Sequence, residues 1–76
     1  NYQNANKFLI DALKYAEFSK SKLLSLQVTT TLARNYLNLD DTKKAIELAN
    51  EGLRLSEELS NEKEKPSLYE ILNQAY

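Results

Sequence analysis

Apolar residues recur every three or four positions along most of this chain, which is the spacing of one face of an α-helix. The second apolar stretch shows the pattern most simply, with steps of four residues at Leu24, Val28, Leu32 and Tyr36. Short polar interruptions separate four such stretches, which predict helices over residues 4–20, 22–37, 42–59 and 66–76. We therefore predict an all-α fold of about four helices, forming a single unit over residues 1–76.

Polar residues between the stretches indicate where helices begin. Asn4 is a candidate N-cap for the first helix, and Asp40 or Asp41 for the third, because their side-chain oxygens can accept the free N–H groups there. Pro66 suits the first position of the fourth helix, where its missing N–H is not needed. We expect the first helix to bury one apolar face, made of Ala5, Phe8, Leu9, Ala12 and Ala16.

The chain repeats itself at an offset of 40 residues. Residues 72–76 match residues 32–36 in their first Leu and their last Tyr. Along the third helix, small and large residues follow the order seen in the first, as in the pairs Ala45 with Ala5, Leu48 with Phe8 and Gly52 with Ala12. The sequence therefore predicts two units, each contributing a pair of helices.

Small residues recur on the inner face of the third helix, at Ala45, Ala49 and Gly52. Small side chains let helices approach closely while large side chains of the neighbours fill the gaps. Because Gly in mid-helix costs up to about 1 kcal/mol relative to Ala, a close helix contact is the expected reason for Gly52. Such helix pairs bury their apolar faces only against adjacent pairs.

These features resemble the tetratricopeptide repeat, a family of stacked helix pairs. Leu32-Ala33 stands where the family has a Leu-Gly pair, Tyr36 matches its Tyr, and Gly52 matches a later small position. The chain departs from the family because Ala49 replaces an aromatic residue, no Pro closes the repeat, and the repeat exceeds the usual length of about 34 residues. The resemblance implies antiparallel helix pairs stacked in a right-handed superhelix.

Within that family, residues 44–53, KAIELANEGL, are similar to the long repeats of Gram-positive peptide-pheromone sensors. Those proteins join an N-terminal helix-turn-helix or effector region to a repeat domain that binds a short signalling peptide. This likeness implies the peptide-sensing part of a cytoplasmic bacterial transcription regulator. The sequence begins with Asn1 and ends at Tyr76 inside an apolar pattern, so we interpret it as a fragment of a longer protein.

The family resemblance also implies a binding groove. In tetratricopeptide stacks the first helix of each pair lines a concave face that holds a peptide, and here these are the second and fourth helices. Amide side chains can pair with backbone N–H and C=O groups, and an Arg can bind a carboxylate through two hydrogen bonds. An ordinary polar helix face is the alternative interpretation. The residues expected to face the groove are Gln27, Thr30, Arg34, Leu37, Asn38, Ser67, Glu70 and Gln74.

Composition narrows the chemistry. The sequence has no Cys, His or Met, which excludes a disulfide framework and the usual zinc sites. The net charge is −1, with Lys and Glu interspersed, so we expect no direct nucleic-acid contact. The longest apolar runs are far shorter than the ~20 residues that span a bilayer, and no signal peptide is visible. We expect no cofactor, no metal ion and no membrane contact.

Two patterns in the sequence have the residue types used in catalysis or metal binding. Ser19 and Lys22 have the Ser-x-x-Lys spacing of some acyl-transfer enzymes, but the segment over residues 19–22 ends a helix, where Lys favours the negative pole. The carboxylates over residues 57–64 alternate with Lys and lack EF-hand spacing. We therefore predict a non-enzymatic module that binds a protein or peptide. The alternatives are a scaffold segment in a larger assembly and self-association, in which exposed terminal helices pair two chains as a homodimer.

Overall fold

The computed structural model describes residues 2–76, with the backbone alone at residue 2. Within this range the chain forms four α-helices and no strand: α1 (Tyr2–Phe18), α2 (Lys22–Asn38), α3 (Thr42–Leu59) and α4 (Lys65–Ala75). The prediction of an all-α fold is confirmed. The helix α1 lies slightly nearer the N-terminus than predicted, and α4 begins one residue before Pro66.

The first three helices end in the same way. Lys20, Asp40 and Ser60 have φ angles of 60°, 62° and 51°, in the left-handed region that ends many helices. Glycine occupies this region at least cost, but the one Gly of the sequence lies elsewhere. After each of these residues, the next N–H donates to a carbonyl in the last turn at 2.9 Å, in the pairs Ser21–Ala16, Asp41–Tyr36 and Asn61–Ser56. The same turn therefore recurs every 20 residues.

Side chains cap the N-termini of α2 and α3. The Leu24 N–H donates to Ser21 Oγ at 3.3 Å, and the Lys44 N–H donates to Asp41 Oδ1 at 3.3 Å. Each cap of this kind contributes about 1 kcal/mol. Asp41, one of the two predicted candidates, is therefore the N-cap of α3. The N-cap prediction for Asn4 is wrong, because α1 begins at Tyr2 and Asn4 lies inside the helix.

The helix α2 lies at the centre of the fold. It packs against α1, α3 and α4, while α3 packs against α2 and α4. Over residues 2–76, no Cα atom of α1 lies within 8 Å of a Cα atom in α3 or α4. The helices α2 and α4 therefore lie side by side, whereas α1 and α3 lie apart on α2.

The hydrophobic core lies where α2, α3 and α4 meet. Each large apolar side chain in it contributes about 1.5–3 kcal/mol relative to an exposed position. Ala45 and Ala49 are fully buried, as close packing of α3 requires. The buried members of the core are Leu26, Ala33, Ala45, Ala49, Leu55, Leu68 and Ile71.

The helices α3 and α4 approach closely at Gly52. A Cβ atom placed there would lie 2.7 Å from Leu68 Cδ2 and 3.1 Å from Leu68 Cδ1. Carbon atoms in favourable contact lie about 3.5–4.0 Å apart, so an alanine would overlap the leucine. The lack of a side chain at Gly52 allows Leu68 to pack on the backbone of α3, and the predicted reason for this glycine is confirmed.

The apolar face of α1 is only partly covered. Ala16 is fully buried and Ala12 is half-buried, but Ala5 and Phe8 are exposed. The prediction that all of these residues are buried is wrong. These residues are exposed because the backbone of α1 comes close to α2 alone, and α2 covers only one side of α1.

Candidate binding surfaces

The polar residues predicted to line a groove lie on the two helices that touch, α2 and α4. Arg34 Nη1 of α2 lies 3.3 Å from Glu70 Oε1 of α4, and this ion pair crosses the helix contact. Gln27, Asn38 and Gln74 are exposed on the same two helices. We name these five residues, Gln27, Arg34, Asn38, Glu70 and Gln74, the α2/α4 surface.

The other three predicted groove residues are less accessible. Thr30 is 7% exposed, and its hydroxyl donates to the Leu26 carbonyl at 2.9 Å inside α2. Leu37 is half-buried and packs against the core, and Ser67 is half-buried near the start of α4. A ligand on these helices would therefore meet the α2/α4 surface first.

The Arg34–Glu70 pair contributes little to folding, because exposed ion pairs are worth about 0–1 kcal/mol. Its effect is to hold a guanidinium and a carboxylate next to each other across two helices. The three amide side chains of the surface each carry both donors and acceptors. The α2/α4 surface can therefore donate to and accept from a ligand along its whole length.

A second candidate surface is an apolar cleft where α1 and α3 fail to meet. One end has a volume of about 430 Å³, with Leu13 of α1 and Leu55 of α3 as walls and Thr29 of α2 between them. The cleft continues into a depression of about 250 Å³ that is lined by Leu32 and Tyr36 of α2. We name this feature the α1/α3 cleft.

Charged residues line the rim of the α1/α3 cleft. Arg54 donates hydrogen bonds to Glu51 and Glu58 on its own helix, and Lys22 Nζ of α2 lies 2.8 Å from Glu58 Oε1. The hydrogen bond from Lys22 lowers the pKa of Glu58, and the hydrogen bond to Glu51 raises the pKa of Arg54. These charges neutralise one another and tie the start of α2 to α3.

A comparable ion pair joins α3 to α4. Lys65 Nζ lies 2.6 Å from Glu57 Oε1 and 3.0 Å from Glu62 Oε2. The hydrogen bond to Glu57, followed by that to Glu62, raises the pKa of Lys65. Two of the carboxylates over residues 57–64, Glu57 and Glu62, therefore bind a lysine.

The Ser-x-x-Lys pattern does not assemble into a reactive pair. The Ser19 hydroxyl donates to the Ala16 carbonyl at 3.2 Å, while the Lys22 amine binds Glu58 on α3. Among residues 2–76, no group of three or more acidic side chains is placed to hold a metal ion. No helix in this part of the chain has the length and apolar character to cross a membrane.

The sequence pattern did not indicate the α1/α3 cleft. Its walls include Leu13 and Leu48, which have the spacing of ordinary core residues. Helical periodicity is the same whether two helices touch or stand apart, so it carries no information about a gap between them. The sequence relates α1 to α3 only through the offset of 40 residues, which makes them equivalent helices of two repeats.

Comparison with known proteins does not indicate a family or a function for this chain. The chain matches no protein-family model, no curated protein and no solved structure. The assignment of a function therefore depends on the surfaces described above.

Proposed function

We propose that this chain is a helical-repeat module that binds a peptide or an extended protein segment on the α2/α4 surface. In this proposal the two helix pairs stack in the tetratricopeptide manner, with α2 and α4 as the inner helices. The observation that supports it best is that the backbones of α2 and α4 come close together while those of α1 and α3 stay apart. In a stack of helix pairs, contact in one layer and separation in the other curve the structure toward the contacting layer.

The dimensions of the α2/α4 surface fit a short peptide. Gln27 and Asn38 are separated by about 16 Å along α2, at a rise of about 1.5 Å per residue. An extended peptide rises about 3.3 Å per residue, so about five of its residues would span this distance. The amides of Gln27, Asn38 and Gln74 would pair with its backbone, and Arg34 would bind an acidic side chain or a terminal carboxylate.

A second candidate site for the same function is the α1/α3 cleft. Its apolar walls, with Leu13 facing Leu55 across α2, favour an apolar side chain or the apolar face of a helix. This mode would serve a scaffold that holds a folded partner. The role of a pheromone sensor in a cytoplasmic regulator is a narrower proposal, and it is supported by the resemblance of residues 44–53 alone.

A peptide-selection experiment distinguishes the two sites. Random peptides displayed on phage would be selected against the purified chain, and the affinity of the tightest peptide measured by isothermal titration calorimetry. The variant Arg34→Ala/Asn38→Ala should weaken binding at least tenfold, because a hydrogen bond to a charged group contributes about 1.5–3 kcal/mol. The matched control, Arg54→Ala/Asn50→Ala, makes the same exchanges on α3, where both residues are exposed.

The affinities of the two variants decide which surface, if either, binds the peptide. Loss of affinity in the α2 variant with little change in the α3 variant supports the α2/α4 surface. Loss of affinity in the α3 variant alone would place the binding site in the α1/α3 cleft, which Arg54 lines. Equal affinity of both variants and the wild type contradicts both sites, provided that circular dichroism shows unchanged helix content.

A further inference from the structure

The α1/α3 cleft opens into a polar pocket at its end next to the turn between α2 and α3. The pocket has a volume of about 620 Å³, and it shares Ile10 and Tyr36 with the adjacent depression. The helix α1 forms one wall, while Leu39 and Asp41 contribute to the other. Volumes of about 300–1,000 Å³ are usual for sites that bind small molecules. We name this feature the Asn6 pocket, after the most deeply buried residue that lines it.

Asn6 brings a buried amide with an unpartnered oxygen to the wall of this pocket. The residue is 4% exposed, and its Oδ1 atom accepts no hydrogen bond from the described residues. A buried acceptor without a partner lowers the stability of a fold, so a native protein that retains one calls for an explanation. The repeat has an apolar residue at the equivalent position of α3, which is Ile46. The amide in its place on α1 therefore indicates a ligand that supplies an N–H donor.

Charged side chains on the same wall are free to bind a ligand. Lys7, Asp11 and Lys14 are exposed, and among residues 2–76 they form no ion pair. At the opposite end of the cleft, by contrast, Arg54 pairs with glutamates of its own helix. Together with Asp41, the pocket has two positive and two negative charges. A balanced set of this kind favours a ligand that carries both charges over a simple anion or cation.

Apolar side chains complete the lining of the Asn6 pocket. Ile10 is 37% exposed, and Tyr36 and Leu39 are half-buried. Ile10 lies on α1 between Lys7 and Lys14, which are about 10 Å apart along the helix axis. An apolar group of a ligand can therefore pack on Ile10 while a carboxylate lies between the two lysines.

The α1 wall does not correspond to a surface that neighbouring helix pairs cover. In α3, which packs against α2 and against α4, the equivalent positions are exposed. The α1 wall would therefore stay open if a further helix pair packed on α1 as α2 packs on α3. The equivalent residues are Lys43, Glu47, Asn50 and Arg54, which correspond to Gln3, Lys7, Ile10 and Lys14.

From these observations we infer that the Asn6 pocket binds a small zwitterion with an apolar side chain, either a free apolar amino acid or a dipeptide of such residues. The ammonium group of the ligand donates a hydrogen bond to Asn6 Oδ1, and the charges of Asp11 and Asp41 balance its own. The carboxylate pairs with Lys7 and Lys14, and the side chain packs on the apolar lining.

This inference does not depend on the proposed peptide site. The α2/α4 surface shares no residue with the Asn6 pocket, and α1 stays apart from α4. The two proposals can therefore fail separately, since variants of one surface leave the other unchanged.

Titration of the ¹⁵N-labelled chain with leucine, followed by ¹⁵N–¹H nuclear magnetic resonance, tests the inference. In a titration to about 10 mM, the amide shifts near Asn6, Ile10 and Leu39 should saturate with a Kd of about 1 mM or below. Isoamylamine lacks the carboxylate of leucine and isocaproate lacks its amine, so each should bind weaker by a factor of about ten or more. Leucyl-leucine identifies the source of the zwitterion, because tighter binding than leucine indicates a dipeptide and weaker binding a free amino acid.

The variant Asn6→Leu separates binding from folding. It should weaken the binding of leucine by a factor of about ten or more, because the ammonium group loses its acceptor. The urea midpoint should rise in the same variant, because the unpartnered buried oxygen is gone. Asn50→Leu is the matched control, since it makes the same exchange at an exposed position of α3 and should leave the affinity unchanged.

A second variant, Lys7→Gln/Lys14→Gln, changes exposed side chains alone and tests the pocket even if Asn6→Leu does not fold. It should also weaken the binding of leucine by a factor of about ten or more, because a hydrogen bond to a charged group is the stronger kind. Lys43→Gln/Lys63→Gln is its control, with the same exchanges at exposed lysines outside the pocket.

Three results would overturn the inference. One is the absence of saturable shifts with both leucine and leucyl-leucine up to about 10 mM. Another is binding of isoamylamine or isocaproate as tight as that of leucine, which would show that one charge of the ligand is not recognised. The third is wild-type affinity in the lysine variant, or shifts confined to the α2/α4 surface, which would place the ligand elsewhere.

Discussion

The substitution Gly52→Ala sets two effects of similar size against each other. Alanine gains about 0.8–1 kcal/mol over glycine in the interior of a helix. The new Cβ, however, would lie 2.7 Å from Leu68 Cδ2, so the leucine must move by about 0.8 Å to restore a contact of about 3.5 Å. Leu68 is fully buried, and overpacking of this kind costs about 1–3 kcal/mol. We expect a net loss of about 0–2 kcal/mol in the free energy of unfolding.

The repeat suggests a second substitution that would make room for the Cβ atom of alanine at position 52. At the equivalent positions of α1 and α2 the chain has Ala12 and Val28, so a larger residue on one helix accompanies a smaller one on the other. Leu68→Val replaces the two δ carbons by one additional γ carbon, a net loss of one carbon atom that should by itself cost about 0.5–1.5 kcal/mol. In that background Gly52→Ala should stabilise the protein, giving a coupling energy of about 1–3 kcal/mol between the two sites.

Urea unfolding followed by far-ultraviolet circular dichroism measures all four members of this cycle, with constant m-values as the check for two-state behaviour. Asn50→Ala is the matched control, because Asn50 is exposed on the same helix and should gain at most about 0.7 kcal/mol in either background. If Gly52→Ala stabilised the wild type and the Leu68→Val variant equally, the close contact would not be the reason for this glycine.

Three further predictions concern stability and are checked by the same unfolding assay. Ser56→Ala should stabilise the protein by about 1 kcal/mol, because the buried Ser56 hydroxyl has no hydrogen-bond partner and the equivalent Ala16 is fully buried; a loss of stability would show that the hydroxyl is bonded. Ser60→Gly should gain up to about 1 kcal/mol by relieving the left-handed backbone at φ 51°, and an unchanged midpoint would contradict this strain. Since the pKa of Glu58 is lowered on folding, its contribution should be complete above the ordinary pKa of 4.5 and lost as the pH falls through the lower value. Glu58→Gln should therefore reduce the fall of the urea midpoint at acidic pH. An unaltered pH profile of stability would refute the claim that the hydrogen bond from Lys22 lowers the pKa of Glu58.

Several features of the fold could be predicted from the sequence because they depend on local pattern. The spacing of apolar residues identified four helices, and the polar pair Asp40 and Asp41 indicated the start of α3, where Asp41 is the N-cap. The prediction for Gly52 also succeeded, because a costly residue in mid-helix requires a contact that only packing can supply.

Other features depend on contacts between helices that periodicity does not record. The exposure of Phe8 follows from the lack of a second neighbour for α1, and the same apolar spacing would bury it in a longer stack. The burial of Thr30 reflects the contacts that α2 makes on three sides. The left-handed residues Lys20 and Ser60 carried no sequence signal, because glycine or asparagine is the usual sign of such a turn.

The positions of the candidate binding residues on the helices could be predicted in part, and their role in binding stays a prediction. The sequence indicated which polar residues lie on α2 and α4, and the structure brings Arg34 and Glu70 together across the two helices. The sequence could not indicate that Leu37 would pack against the core, because a residue at the edge of an apolar face can turn toward either side.

The most direct test of the proposed function is a two-dimensional ¹⁵N–¹H nuclear magnetic resonance titration of the labelled chain with a peptide that the wild type selects. The proposal predicts that the amide shifts concentrate on the α2/α4 surface, near Gln27, Arg34 and Asn38 on α2 and near Glu70 and Gln74 on α4. Shifts concentrated instead around Leu13 and Leu48 in the α1/α3 cleft, with α4 unaffected, would contradict it.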